Sequence, residues 1–250
     1  MMKKKGGFIM VNMILLRYCI IAAIGVVFIS LFLAMRVKKA TPKAAAAKAM
    51  TSVCFILAWL VLARQNMNSF AMFIGGGLLF GLLGDIWLDL KFCYPQDDDT
   101  FTKLGFSSFA VGHFFYIAAI ISGASDGFKL NALLCAFAVG IVVGFVVYFG
   151  EKVMKLQYGD YKMISTLYGA LLFFMTAFAI FTAVFSGVKE NMHLLVMGIG
   201  GVFFAISDLI LSGTYFGEGK NRPVDIITNH VTYYMAQFII ALSLMFMPYK

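Results

Sequence analysis

Charge is what this sequence has least of. Asp, Glu, Lys and Arg make up 13% of its 250 residues, against about 25% in an ordinary soluble domain. Hydrophobic residues make up 62%, so no polar stretch is long enough to build a soluble domain beside the apolar ones. The three histidines, His113, His193 and His230, are far apart. A zinc hydrolase wants several such ligands converging, so no metal is expected. The four cysteines, Cys19, Cys54, Cys93 and Cys135, never fall at CxxC spacing, which leaves neither a disulfide frame nor a zinc site to infer. No GxSxG segment marks a nucleophilic serine. The GxGD signature of intramembrane aspartyl proteases is also missing, since Gly81-Leu-Leu-Gly84 precedes Asp85. The short alternating segments of a membrane β-barrel do not occur.

What is there is a series of long apolar runs. They predict an all-α polytopic membrane protein, because only helices satisfy their own backbone inside lipid. We read eight transmembrane helices, over residues 11–35, 49–63, 70–90, 104–122, 131–150, 161–184, 194–211 and 230–247. They form a single transmembrane domain over residues 1–250. The second run is short, and a helix starting a turn earlier would put Lys48 in its first turn. The triplet Asp97–Asp99 reads as a solvated loop, and residues 213–229 as a long polar loop. The N-terminal lysines and the run behind them resemble a signal peptide, but the run is too long and is kept as the first span. The net charge is +8. Its basic residues flank the spans, so the expected partner is the lipid bilayer and not nucleic acid. Lys and Arg concentrate in the loops after spans 1, 3, 5 and 7, which places those loops in the cytoplasm of a cell (plasma) membrane protein. Oligomeric state is not readable.

The densest stretch is Gly75 to Asp89, GGGLLFGLLGDIWLD, an apolar run ending in two carboxylates. It has an echo. With Asp85 set over Asp208, Gly75 meets Gly198, Gly77 meets Gly200, Phe80 meets Phe203 and Leu88 meets Leu211. Spans 4 and 8 align similarly, Phe109 with Tyr233 and His113 with Gln237. The chain therefore reads as a parallel 4+4 internal repeat, residues 11–122 and 131–247.

Ionisable groups inside a membrane are costly and mark functional sites by default. At about 1.5 Å per residue, Asp85 lies about 8 Å and Asp208 about 5 Å from the cytoplasmic ends of their spans. His113, Gln237 and Tyr168 lie at similar or slightly greater depth on that side, and Lys48 sits at its border. Polar groups from six spans thus share one leaflet. Gly77, Gly81 and Asp85 share a helix face, as do Gly201, Ala205 and Asp208, and small residues let helices approach. Asp85 and Asp208 are the candidate catalytic pair. Lys48, Asp89, His113, Tyr116, Tyr168, Ser207, Tyr234 and Gln237 are the candidate binding or positioning residues. Tyr234 ranks above Tyr233 because it stands one turn from Gln237, with His230 on the same stripe. Ser207 is placed either to hold Asp208 or to bond its own helix.

The runs GLLFGLLGDIWLDL, FAVGHFFYI, GGVFFAISDLILS and YYMAQFIIALS resemble signature segments of the YhhN-type lysoplasmalogenase family. In that family a Lys-Pro pair often opens the second span; here Lys48 is followed by Ala49. The resemblance implies a lysophospholipid substrate and hydrolysis of the vinyl ether bond of lysoplasmalogens to a fatty aldehyde and a glycerophospho-alcohol. It requires no cofactor. Two aspartates in unlike surroundings divide into acid and base, as glycosidase carboxylates do. On this reading Lys48 meets the phosphate and Asp89 a headgroup ammonium. The rival reading is a transporter, flippase or binding protein for a small amphiphilic lipid, which parallel repeats and mid-membrane polar groups also suit.

Overall fold

The computed structural model describes residues 2–125, 127–218 and 221–248, with side chains described from residue 11 onward. Every regular element among them is helical: α1 (Met2–Arg36), α2 (Pro42–Ala63), α3 (Ser69–Cys93), α4 (Asp98–Gly123), α5 (Leu130–Phe149), the single turn α6 (Glu151–Met154), α7 (Lys162–Ser186), α8 (Met192–Phe216) and α9 (Pro223–Leu242). Seven of these, α1 to α5 with α7 and α8, are long and apolar enough to cross a membrane. The chain is thus an all-helical protein of membrane-spanning character. Helix α9 is as long as α5, 20 residues each, but it carries Asp225, Asn229, His230 and Gln237 and falls below the apolarity of the others.

The helices overrun the apolar runs at their ends, because backbone hydrogen bonding continues past the last apolar side chain where caps support it. The Thr41 side chain accepts the Ala44 amide at 3.2 Å, and Pro42 occupies the first turn, where no amide donor is needed. Lys48 therefore sits in the second turn of α2, not the first. The Asn68 side chain accepts the Ala71 amide at 2.9 Å and opens α3. The long polar loop expected at 213–229 is mostly helix. Helix α8 runs on to Phe216, and α9 starts at Pro223, where the Asp225 carboxylate accepts the Arg222 amide at 3.1 Å. Helix α9 ends at Leu242, ahead of a 3-10 turn over Ser243–Phe246. The aspartate triplet is solvent-exposed as expected, but it is helical and not a loop. Asp98 opens α4 and pairs with Lys91 at 3.3 Å. Asp99 pairs with Lys103 and accepts the Tyr161 hydroxyl at 2.7 Å.

Helices pack in the same pattern in both halves. α1 lies on α2, α2 on α3 and α3 on α4; α5 lies on α7, α7 on α8 and α8 on α9. The halves join where α4 meets α7 and where α2 meets α9. Glycines bring α3 and α4 together: a Cβ on Gly112 would stand 3.1 Å from the Gly77 carbonyl oxygen. The packed interior holds Phe32, Phe55, Phe70, Tyr116, Phe178 and Phe204. Helices α1 and α5 stand at the periphery with most of their apolar residues exposed. Three polar ties hold the bundle away from the aspartates. The Tyr18 hydroxyl donates to the Phe238 carbonyl at 2.9 Å, the Trp59 indole to the Ala71 carbonyl at 2.7 Å, and His193 Nε2 lies 2.9 Å from the Gly123 carbonyl. The last tie keeps His193 at the opposite end of the bundle.

Candidate functional site

Asp85 faces inward from α3 because Gly77 and Gly81, on the same stripe, leave room for α4 and α9. A Cβ on Gly81 would meet the Gln237 amide at 2.7 Å. Asp85 is 2% exposed, and every group that touches its carboxylate is a donor. The Ser52 hydroxyl donates to Oδ2 at 2.6 Å and the Tyr233 hydroxyl to the same oxygen at 2.8 Å. Lys48 Nζ stands 3.4 Å from Oδ1. The acceptor-only, ionised carboxylate fits these surroundings.

A relay of side chains backs this carboxylate. The Tyr116 hydroxyl donates to Gln237 Oε1 at 2.8 Å, and Gln237 Nε2 donates to the Tyr233 hydroxyl at 3.0 Å. Tyr234 stands 3.1 Å from Ser52 Oγ and 3.1 Å from the Lys48 carbonyl. Ser52 has one proton and Asp85 takes it, so the single Tyr234 proton is shared between Ser52 Oγ and the Lys48 carbonyl. Lys48 also reaches Asp89 Oδ1 at 3.6 Å. It therefore bridges two aspartates one turn apart on α3, while Asp89 Oδ2 is buried with no hydrogen-bond partner.

Asp208 lies in different surroundings. Its Oδ2 accepts the Tyr168 hydroxyl at 2.5 Å. His113 Nε2 lies 3.4 Å from the same hydroxyl oxygen. The Tyr168 proton is committed to Asp208, so the fitting His113 tautomer carries its proton on Nε2. Its Nδ1 is buried without a partner. Among the described residues no cation pairs with Asp208. It is half-buried, where Asp85 is enclosed. Both aspartates stand eight residues before the ends of their helices, about 12 Å along the axis.

Both aspartates line one cavity of about 240 Å³, together with Lys48, Asp89, Ser207 and His230. An apolar groove of about 550 Å³ runs alongside, walled by Val143 and Val147 of α5, Leu172 of α7 and the connector residues Met154, Leu156 and Tyr158. Asp208, with Leu88, Phe109 and Tyr215, belongs to both hollows. The arrangement can hold a polar group beside two carboxyl groups of unequal character while an apolar tail lies in the groove.

The expected residues divide into three groups. Lys48, Asp85, Asp89, Ser207 and Asp208 line the cavity. Tyr116, Tyr234 and Gln237 stand behind Asp85, while His113 and Tyr168 stand behind Asp208. Three expectations change. Tyr233, not Tyr234, is the direct donor to Asp85. Ser207 does not hold Asp208: its oxygen and its carbonyl accept from Asn229 Nδ2, at 3.0 and 2.8 Å. Lys48, expected to meet a phosphate, stands between the carboxylates of Asp85 and Asp89. Sequence reasoning missed Ser52, Arg36 and Lys91. The i,i+4 spacing of Ser52 from Lys48 was a signal that could have found it.

Neither a search of curated proteins nor one of solved structures found a match. The sequence model of the YhhN family, in contrast, matches residues 43–244, from the start of α2 past the end of α9, and the chain belongs to that family.

Proposed function

We propose that this protein is a membrane hydrolase that cleaves the vinyl ether bond of lysoplasmalogens, the ethanolamine and choline forms alike. The observation that carries the reading is the shared cavity: two carboxyl groups from distant parts of the chain, one clamped by donors and one without a cation, beside a groove sized for an acyl-type chain. In this scheme Asp208 is the acid. It adds a proton to the vinyl carbon distal to oxygen, leaving an oxocarbenium ion. The Asp85 carboxylate faces that cation and stabilises it. Water adds to the cationic carbon, and its proton returns to Asp208. The hemiacetal so formed separates into aldehyde and alcohol, with one water consumed. Tyr168 orients Asp208, and His113 holds Tyr168. Tyr233 and Ser52 orient Asp85, with Tyr116, Gln237 and Tyr234 behind them. No metal or organic cofactor enters the scheme.

The same reading takes α9 as an eighth crossing and the chain as a parallel 4+4 repeat. Support comes from the equivalent packing of the two halves and from the hydroxyl each aspartate accepts from the second helix of its own half: Ser52 on α2 for Asp85, Tyr168 on α7 for Asp208. Positive-inside bias puts the cavity in the cytoplasmic leaflet of the plasma membrane.

The test is product release. Purified protein given a lysoplasmenyl lipid is expected to liberate free aldehyde, and Asp208→Asn to lower the rate at least a thousandfold, about 4 kcal/mol of barrier. Lipid binding without aldehyde from the wild-type protein would replace this reading with the transport or binding one.

A further inference from the structure

The cavity has a second cationic end that the two aspartates do not use. Arg36, the last residue of α1, lies with its guanidinium 3.8 Å from the centroid of the Phe92 ring. Lys91 Nζ stands 5.2 Å from that same centroid and 3.8 Å from the centroid of Tyr215. Both cations line the cavity that holds Asp85 and Asp208. The Arg36 side chain makes no hydrogen bond and no ion pair with any described residue, and its Nε is buried without a partner. A buried donor left in that state is costly. Lys91 uses two of its three donors, on Asp98 Oδ1 and on Thr102 Oγ1, each at 3.3 Å. The Asp98 side chain is 56% exposed, so this pair is weak and does not neutralise Lys91.

The geometry points to Arg36 and Lys91 as a clamp for the phosphodiester of a single-chain amphiphile. An arginine presents paired donors that match two phosphate oxygens, and a lysine adds a point charge. Stacking on Phe92 and Tyr215 holds both heads in place. Position along the bundle agrees. Lys91 lies six residues beyond Asp85 on α3, about 9 Å nearer the helix end. A glycerol unit spans from there back to the carboxyl groups. The clamp takes over the phosphate role that the family resemblance implied for Lys48, whose charge is used by Asp85 and Asp89. It rests on the lysoplasmalogen reading only for the identity of the lipid, not for the anion.

The experiment uses the full chain in an uncharged maltoside detergent and two probes of equal tail length. Hexadecylphosphocholine carries the phosphodiester and no vinyl ether, and hexadecylglycerol carries neither. Wild type is expected to bind the first at least tenfold more tightly. Arg36→Gln and Lys91→Gln are each expected to weaken hexadecylphosphocholine about tenfold and to leave hexadecylglycerol unchanged. Arg36→Lys is expected to restore part of the loss. Displacement of the phosphodiester probe by millimolar inorganic phosphate would identify free phosphate as an occupant, and its failure to displace would identify the lipid headgroup; either upholds an anion site. If the Gln variants weaken both probes equally, or neither, the clamp is wrong. Should Arg36→Gln lose its thermal transition, Lys91→Gln alone carries the comparison. Binding is read without turnover, so the two proposals fail separately. Phosphodiester preference in a protein that releases no aldehyde upholds the clamp and removes the hydrolase. Aldehyde release with a KM unchanged by Lys91→Gln does the reverse.

Discussion

The two aspartates differ because their neighbours differ, and that difference is open to substitution. Lys48 is 5% exposed and held between two carboxylates. Removing one partner of a buried pair strands the other, at about 3–5 kcal/mol. Lys48→Met is therefore expected to lower the thermal transition sharply. Adding Asp85→Asn is expected to recover part of the loss, since one stranded charge is then gone. A Lys48→Met protein as stable as wild type would contradict the bridging role. At Asp208 the relevant donor is Tyr168. Tyr168→Phe deletes one hydroxyl and leaves the ring packed on Phe106. We expect a stability change of about 1 kcal/mol but a tenfold or greater fall in aldehyde release, with kcat falling and KM held.

Two elements shape the surroundings of the cavity and the groove. The first is the α3–α4 seam. A Cβ on Gly77 would run into the Tyr116 ring, whose hydroxyl holds Gln237. Gly77→Ala is favourable by propensity, about 1 kcal/mol, yet overpacking costs about 1–3 kcal/mol. The net expectation is a destabilised protein with Tyr116 displaced, read as a lower thermal transition and reduced turnover together. The second is the connector from α6 to α7, which walls the apolar groove and joins α8 through Gln157, whose amide donates to the Phe216 carbonyl at 2.8 Å. Glu151 ties this connector down. It accepts the Tyr158 amide at 2.7 Å and pairs with Lys162 at 3.0 Å. That amide first, and Lys162 second, hold the Glu151 carboxyl below its ordinary 4.5. A carboxyl depressed by folding contributes stability above its unfolded value and loses it as pH falls through the folded one. Hydrogen exchange at the Tyr158 amide should therefore quicken as pH drops below 4.5, relative to core amides of α8 and after correction for intrinsic rates. Unchanged relative protection would remove Glu151 as the tether.

For the whole molecule, the two-half packing predicts that the chain can be divided. Cut between Gly123 and Leu130 and co-expressed, the halves should co-purify and regain aldehyde release, because α4 meets α7 and α2 meets α9 across the cut. Halves that never associate would argue against the α4–α7 and α2–α9 contacts as the seam that holds the molecule together. Much of this architecture was legible from hydropathy and spacing alone. The apolar runs named eight spans, seven of which are helices long and apolar enough to cross a membrane, and Asp85 and Asp208, singled out by the echo between them, line one cavity. What stayed hidden has a common cause. Depth follows from position along a helix, but which groups meet depends on rotation about its axis and on the neighbours. Arg36 and Lys91 looked like basic residues that merely flank spans, and nothing linear tells a flanking arginine from one folded over Phe92. Tyr233 and Tyr234 are adjacent, and only the approach of α9 to Gly81 makes the first of them the donor to Asp85.

By itself, then, the chain's order of residues determined that it is helical and membrane-spanning. Each helix closes its own backbone hydrogen bonds, and that property is local. Tertiary structure alone decided that one aspartate is clamped by a lysine and two hydroxyls while the other meets a tyrosine and an open groove. Those surroundings are assembled from α2, α3, α7, α8 and α9, and a side chain's electrostatic partners are set by contacts across the bundle, not by its place in the chain.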